Sequence, residues 1–155
     1  MIWAETASLE KLQAAFILKF TNYIEWPYQP KETPFTIAVL KDQAMYDALS
    51  ESFAGKSIAE RVVKVEKVEK FDKDSSYQII FIKNQGQEGV KRLHNVKSSG
   101  LLSISVDPSG IQQDVVVNFY LADQDKLRFE INNEEANARE LKINSRLLNL
   151  AKSSK

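Results

Sequence analysis

The chain contains no cysteine and a single histidine, His94. Without cysteine it cannot form a disulfide bond, a thiolate nucleophile or a cysteine-ligated zinc site. Without a second histidine, Cys-His pairs and the zinc sites of metallopeptidases also lack their parts. We therefore predict no catalytic residues, no metal ligands and no cofactor, and we expect His94 to have a surface or structural role on a helix.

The chain also lacks an excess of charge and a long apolar run. Lys plus Arg and Asp plus Glu both number 21 among its 155 residues. A balanced chain has no general attraction to nucleic acid or anionic lipid, so no nucleic-acid partner is expected. No apolar run reaches the roughly 18 to 20 residues that span a bilayer. The length and the ordinary composition predict one globular domain.

The first residues, MIWAETASLEKL, have neither the basic start nor the apolar run of a secretory signal. Ile2, Trp3 and Ala4 are compatible with the tail of a signal that was cut away. An ordinary cytosolic start is the alternative. We expect residues 9–152 to form the domain and residues 1–8 to be an N-terminal remnant or a disordered segment.

Two patterns that could bind a ligand fail on spacing. Gly86 and Gly89 lie between a predicted strand and a predicted helix, but NQGQEG has neither the GxGxxG spacing nor the Lys-Ser/Thr ending of a phosphate loop. Four acidic residues of the later chain are Asp107, Asp114, Asp123 and Asp125. They do not follow the ligand pattern of a calcium-binding EF-hand loop, and the last two are expected in a hairpin turn.

The first helix is predicted to run from a cap at Ser8 to the Trp26-Pro27 pair, because a residue before proline disfavours helical dihedral angles. Its apolar residues recur at three- and four-residue steps. They are Leu9, Leu12, Phe16, Ile17, Leu18, Phe20, Tyr23 and Ile24. The stripe is so wide that the helix should be heavily buried, in the core or against a partner.

Short apolar segments alternate with short helical segments in the middle of the chain. The candidate strands are residues 35–40, 61–68, 77–82 and 101–106. Lys64, Glu66 and Lys67 interrupt the second candidate, which is typical of a strand near a sheet edge. Helices are expected after the capping residue Asp42 and at residues 87–96. This alternation predicts an α/β fold with a mostly parallel central sheet flanked by helices.

The last third of the chain predicts a β-hairpin and a helical tail. Alternating apolar residues give each hairpin strand one buried face: Val115, Val117, Phe119 and Leu121, then Leu127, Phe129 and Ile131. Asn132 or Asn133 can cap a first tail helix, and Asn144 or Ser145 a second one. We therefore predict a single α/β domain that is closed by this C-terminal hairpin and tail.

Aromatic residues cluster around the end of the first helix: Tyr23, Trp26, Tyr28 and Phe35. Aromatic side chains commonly anchor protein interfaces. Tyr23, Trp26 and Tyr28 are therefore the candidate partner-binding residues. The alternative is that most of these rings simply cover the end of the sheet.

Several segments, taken in order, match one known family. They are the aromatic helix that ends in Trp26-Pro27, the stretches PFTIAVLKD and AGKSIAERVVKV, and the strand YQIIFIKN. The most specific block is a hairpin with the pair Asn118-Phe119, then RFEIN at residues 128–132, then INSRLLNLA at residues 143–151. In these segments the chain resembles the YfiR/HmsC-like family of periplasmic proteins.

The chain departs from the family pattern in two places. Glu140 stands where relatives usually have a glycine, which would serve a left-handed helix stop. The first tail helix is therefore expected to run on or to end differently. Some relatives also carry cysteine pairs, and since this chain has none, no redox role is carried over.

The resemblance implies an exported, non-enzymatic protein, with a signal peptide removed. The best understood relatives bind the periplasmic sensor domain of an inner-membrane diguanylate cyclase and lower cyclic-di-GMP signalling and biofilm formation. The implied partner is the periplasmic part of such a cyclase or of a histidine kinase, with a homodimer as a further arrangement. The alternative function is a small-molecule sensor or solute-binding domain that works with a histidine kinase or a transport system. Its pocket would lie at the carboxyl edge of the sheet.

Overall fold

The computed structural model describes residues 8–72, 76–83, 99–112 and 114–151. The described helices are α1 (Leu9–Phe20), α2 (Gln43–Ser52), α3 (Asn133–Ala138) and α4 (Ser145–Ala151). The described strands are β1 (Ile24–Glu25), β2 (Phe35–Leu40), β3 (Ser57–Ile58), β4 (Arg61–Val68), β5 (Ile79–Lys83), β6 (Leu102–Val106), β7 (Val117–Leu121), β8 (Leu127–Ile131) and β9 (Lys142–Ile143). The helix predicted at residues 87–96 with His94, the turn at Gly86 and Gly89, and residues 1–7 lie outside the described residues.

Seven strands form one sheet in the order β3-β4-β2-β5-β6-β7-β8. Every neighbouring pair from β4 to β7 is parallel. The outermost strands, β3 and β8, run antiparallel to their neighbours. β2 is buried along its whole length and lies inside the sheet, as its continuous apolar run predicts. The predicted α/β class, the mostly parallel sheet and the closing hairpin are confirmed.

Side-chain caps fix the starts of three helices at residues that the sequence identifies. The Ser8 hydroxyl accepts a hydrogen bond from the Lys11 backbone N–H at 3.2 Å and begins α1. The Asp42 carboxylate accepts one from Met45 at 3.1 Å and begins α2. Of the two asparagines that could cap the first tail helix, Asn132 does so. Each cap satisfies a backbone donor that the helix itself leaves unpaired.

The core has one apolar layer on each face of the sheet. On one face, α1 packs its phenylalanines against the hairpin: the Phe20 ring lies 5.0 Å from Phe129 and 5.9 Å from Phe119, centroid to centroid. The opposite layer contains Ala38, Leu40, Tyr77, Ile80, Ile82, Leu101 and Val115. The hairpin register pairs Phe119 with Phe129, and both rings lie on the α1 face as the alternation predicts. The prediction is wrong at both ends of the strand: β7 begins only at Val117, so Val115 belongs to the opposite layer, and Leu121 is 48% exposed.

The prediction that α1 runs to Trp26-Pro27 is wrong, because the helix ends at Phe20. Thr21 caps its end, and its hydroxyl donates to the Leu18 carbonyl at 2.6 Å. The chain then forms β1, which pairs antiparallel with β9 near the C-terminus. Asn144 N–H donates to the Tyr23 carbonyl at 2.8 Å and extends this pairing. Long-range backbone hydrogen bonds thus replace the helical ones that local periodicity favours.

The expectation that Glu140 would alter the end of the first tail helix is also wrong. α3 ends at Ala138, and Glu140 adopts the left-handed conformation with φ of 62°. Its N–H donates to the Asn137 carbonyl, and Leu141 N–H donates to the Ala136 carbonyl. These two bonds are those of a Schellman motif, in which glycine is the usual left-handed residue. The motif therefore forms around a glutamate.

Candidate functional site

Three consecutive residues after β1, Trp26 to Tyr28, form a projecting segment that we call the aromatic ridge. The indole N–H of Trp26 donates to the Gln78 carbonyl at 3.1 Å. Its ring meets Phe35 edge to face, with centroids 4.9 Å apart. Because both ends of the Trp26 side chain are engaged, this residue anchors the ridge to the sheet.

Tyr28 forms the outer end of the ridge, and 88% of its surface is exposed. The three predicted partner-binding residues therefore differ in their surroundings. Trp26 is half-buried and holds the ridge, and Tyr28 projects from it. Tyr23 is half-buried beside the core, and its carbonyl takes part in the pairing of β1 with the tail. Phe35 is fully buried under the ridge and Trp26 packs on it, so these two of the four aromatic rings do cover the end of the sheet.

A groove lies on each side of the aromatic ridge. One has a volume of about 570 Å³ and is bounded by the ridge, the loop at residues 29–32 and the turn between β3 and β4. The other has a volume of about 510 Å³ and is bounded by the ridge and the segment from Asn137 to Lys142. Trp26, Pro27 and Tyr28 line both grooves. A partner that binds across the ridge can therefore contact Tyr28 from two sides.

The floor of the larger groove contains a buried cation that the sequence analysis missed. Arg61 is 3% exposed and donates to the carbonyls of Thr33 and Pro34, at 2.9 and 2.8 Å. Its guanidinium lies 5.6 Å from the centre of the Phe35 ring, which adds a cation–π contact. Burial lowers the pKa of this guanidinium from its ordinary value. These contacts hold the proline-containing loop against the start of β4 and form the side of the larger groove next to the ridge.

Gly100 packs closely against Pro27 of the ridge. A Cβ atom at this position would lie 2.6 Å from Cδ of Pro27, closer than side chains approach each other. Its φ of 74° is also in the left-handed region, which glycine adopts without strain. Its N–H donates to the Arg139 carbonyl at 2.6 Å. Neither Arg61 nor Gly100 belongs to a recognisable motif, so only a knowledge of their neighbours reveals their contribution.

The larger groove lies at the amino edge of the parallel strands. Phe35 begins β2, Arg61 begins β4, and Gln78 directly precedes β5. This is the edge opposite to the one where the sensor hypothesis placed a pocket. Within the residues that the structure describes, no group of three or more His, Cys, Asp and Glu side chains could hold a metal ion. The features that the described residues place at this edge are the aromatic ridge and the two grooves beside it.

The comparisons with known proteins support the resemblance that the sequence shows. A search of curated proteins gave no significant match. Among the described helices, none has both the length and the apolar character needed to cross a membrane. A family model described as YfiR/HmsC-like matches residues 10–152, which is nearly the whole chain. The protein therefore belongs to the YfiR/HmsC-like family, whose members have periplasmic regulatory roles.

Proposed function

We propose that the protein is a non-enzymatic periplasmic regulator that binds the periplasmic sensor domain of an inner-membrane diguanylate cyclase. By holding the cyclase inactive it would lower cyclic-di-GMP signalling and restrain biofilm formation. The observation that carries this proposal is the family match over residues 10–152. A histidine kinase is the alternative signalling partner.

The aromatic ridge is the surface that we assign to this contact. Tyrosine and tryptophan are enriched among the residues that dominate binding energy, because they bury a large apolar area and retain a hydrogen-bonding group. Tyr28 presents such a side chain on a segment whose position is fixed by Trp26 and Gly100. A fixed segment loses little conformational entropy when a partner binds.

The mechanism is a shift of the cyclase between two states. A protein that binds the inactive state more tightly than the active one moves the population toward the inactive state by that difference in affinity. A change from 1% to 99% inactive requires a preference of about 10⁴-fold. An envelope signal that weakens the contact would release the cyclase.

The test is co-purification of the protein with a co-expressed membrane diguanylate cyclase that has a periplasmic sensor domain, followed by cyclic-di-GMP output with and without the protein. Tyr28→Ala should weaken binding by about 30-fold or more and restore cyclase output, as expected for an interface residue of this kind. Leu121→Ala, at an exposed position on the hairpin tip, is the matched control and should leave both unchanged. Absence of binding together with unchanged output would refute the regulator proposal. Normal repression by the Tyr28 variant would instead refute only the choice of surface.

A second candidate function, a small-molecule sensor or solute-binding domain, is favoured by the groove of about 570 Å³ with Arg61 in its floor. Aromatic, cationic and acidic side chains line the groove, and such a mixed lining suits a small polar organic ligand. A thermal-shift screen of envelope metabolites separates the two functions. A ligand that raises the melting temperature and protects residues 29–32 would support the sensor, and no stabilisation by any compound would count against it.

A further inference from the structure

The outer edge of β4 is only partly covered by another strand. β4 has eight residues, Arg61 to Val68, and pairs along most of its length with β2. On its other side β3 pairs only with Arg61 and Val62. From Val63 to Lys67, within the described residues, this side of β4 has no neighbouring strand. Exposed strand edges of this kind are sites where another chain can add a strand.

The peptide groups that face outward can be identified from the pairing. The turn between β3 and β4 consists of Ala59 and Glu60, which both have positive φ, as a type I′ hairpin requires. The residues that flank such a turn bond to each other, so the peptide group of Arg61 faces β3. Peptide groups alternate along a strand, and Lys41 N–H donates inward to the Val68 carbonyl at 2.9 Å. The outward groups beyond β3 are therefore those of Val63, Val65 and Lys67.

An apolar groove runs beside this open edge. Its volume is about 490 Å³, and Phe53, Val62, Val63 and Val65 are among the residues that line it, together with the glycine turn that follows α2. Odd-numbered side chains of β4 point toward α2, since Lys67 donates to the Gln43 side chain at 2.7 Å. An added strand would therefore place the residues opposite Val63 and Val65 in this groove.

The charges at the edge favour an acidic occupant. Three lysines lie along the groove and the open edge, Lys56, Lys64 and Lys67, and all three are exposed. Between Lys64 and Lys67 lies Glu66, whose carboxylate is already paired with Lys64 at 2.9 Å. Because Glu66 neutralises Lys64, an occupant with a carboxylate opposite Lys67 would balance the positive charge that remains on the strand.

The same features disfavour a second copy of this chain as the occupant. An antiparallel pair of β4 strands centred on Val65 would bring the end of each strand to the place that β3 already occupies. Moving the centre by one residue puts Lys64 opposite Lys64 or Glu66 opposite Glu66. Like charges directly opposite each other destabilise a strand pair. A strand from a different protein avoids both conflicts.

We propose that the open edge of β4 binds an extended segment of another protein as an added antiparallel strand. Three outward residues, each with one N–H and one C=O, can form six backbone hydrogen bonds with it. Read from the position opposite Lys67, the segment has the pattern acidic, any residue, apolar, any residue, apolar. This site is separate from the aromatic ridge and does not depend on the identity of the signalling partner.

The test uses a phage-displayed library of random nonapeptides selected on the intact protein. Peptides with this alternating pattern should be enriched, and a synthetic copy should bind in fluorescence anisotropy. On binding, the amide hydrogens of Val63, Val65 and Lys67 should gain protection from exchange. Those of Lys64 and Glu66, which already face β2, should not. No enrichment, protection without this alternation, or dimerisation of the free protein through β4 would overturn the proposal.

Two variants distinguish a loss of peptide binding at the β4 edge from a loss of folding. Val65→Pro removes an outward N–H without removing a bond to β2, and should weaken the peptide at least tenfold. Lys67→Glu leaves the backbone unchanged and should weaken it about three- to fivefold, with Lys70→Glu, beyond the strand, as the matched charge control. Equal binding by wild type and Lys67→Glu would contradict the proposed pattern, even if the proline variant failed to fold.

Discussion

Asn118 gives the sharpest prediction because all of its hydrogen-bonding capacity is used inside the protein. Its side chain is fully buried in β7. The amide oxygen accepts from the Ser105 hydroxyl at 2.7 Å and from the Asp107 N–H at 2.9 Å. The amide nitrogen donates to the Asp107 carbonyl at 2.9 Å and to the Glu130 carboxylate at 3.0 Å. One side chain therefore joins β6, the following loop and the hairpin.

Asn118→Asp changes only the donor half of this group. The shape and the two accepted bonds remain, but the Asp107 carbonyl and the Glu130 carboxylate each lose a donor and face an oxygen instead. Losing one neutral hydrogen bond costs about 1 kcal/mol, and losing one to a charged group about 2 kcal/mol. We therefore expect a loss of at least about 3 kcal/mol at pH 7.5. In a chain of this length that loss lowers the melting temperature by roughly 6 to 12 °C.

The loss should depend on pH in a defined direction. Burial and the nearby carboxylate of Glu130 would raise the folded-state pKa of the new carboxyl above its unfolded value of about 3.9. Protonation restores only one of the two lost donors, so about 2 kcal/mol of the loss is linked to pH, which corresponds to a pKa raised by about one and a half units. This part of the loss is complete above the folded pKa and shrinks as pH falls toward 3.9. At pH 5 the total loss should have fallen by about 0.7 kcal/mol.

Urea denaturation of wild type and variant at pH 7.5 and pH 5.0 measures both effects. Asn149→Asp, on the exposed side of α4, is the matched control and should change stability by less than about 0.5 kcal/mol at either pH. A loss below about 1 kcal/mol at pH 7.5 would refute the assignment of Asn118 as a fully bonded core residue. A large loss that does not change with pH would refute the charge argument.

Two further predictions concern backbone positions with positive φ. Gly100→Ala should lower the free energy of unfolding by about 2 kcal/mol or more and change the fluorescence of Trp26, because the new Cβ atom would meet Pro27. Gly55→Ala is the control: its φ is nearly the same but no atom lies near its Cβ position, so it should cost only about 1 kcal/mol. Equal losses in thermal unfolding would show that the contact with Pro27 is unimportant. Glu140→Gly should stabilise the protein by about 0.5 to 1 kcal/mol in urea denaturation, because glycine adopts the left-handed conformation of the Schellman motif without strain. The variant also loses the exposed hydrogen bond from the Ser99 hydroxyl to the Glu140 carboxylate, and Ser99→Ala controls for that loss. A destabilised Glu140→Gly variant would contradict this reasoning.

The regular elements could be predicted because their signals are local. The cap at Asp42, the apolar run of β2 and the in-and-out alternation of the hairpin each depend on neighbouring residues alone. The end of α1 could not be predicted in this way. The two-residue strands β1 and β9 are too short to have a period, and their pairing joins residues more than a hundred positions apart. The predicted helix was therefore too long, because the apolar periodicity contains no information about that pairing.

The sequence predicts which aromatic residues form the candidate site, but it does not predict which of their side chains are buried and which are exposed. The aromatic residues near Trp26 were identifiable, but sequence alone does not distinguish the buried Phe35 from the exposed Tyr28. The same limit applies to Arg61, whose place at the start of a strand suggests an exposed charge. Its burial follows from the carbonyls of Thr33 and Pro34, which lie nearly thirty residues earlier in the chain.

The pairing of β1 with β9 also sets the order in which the protein becomes complete. Ile24 lies opposite Ile143, so the segment that leads into the aromatic ridge has no strand partner until almost the entire chain is present. Contacts between such distant residues form late, because the closure of a long loop precedes them. In a chain that is still emerging from the ribosome, the contacts of Trp26 with Gln78 and Phe35 would therefore hold the ridge before this pairing forms. The pairing with β9 adds a second support for Tyr28 only after residue 143 has been made.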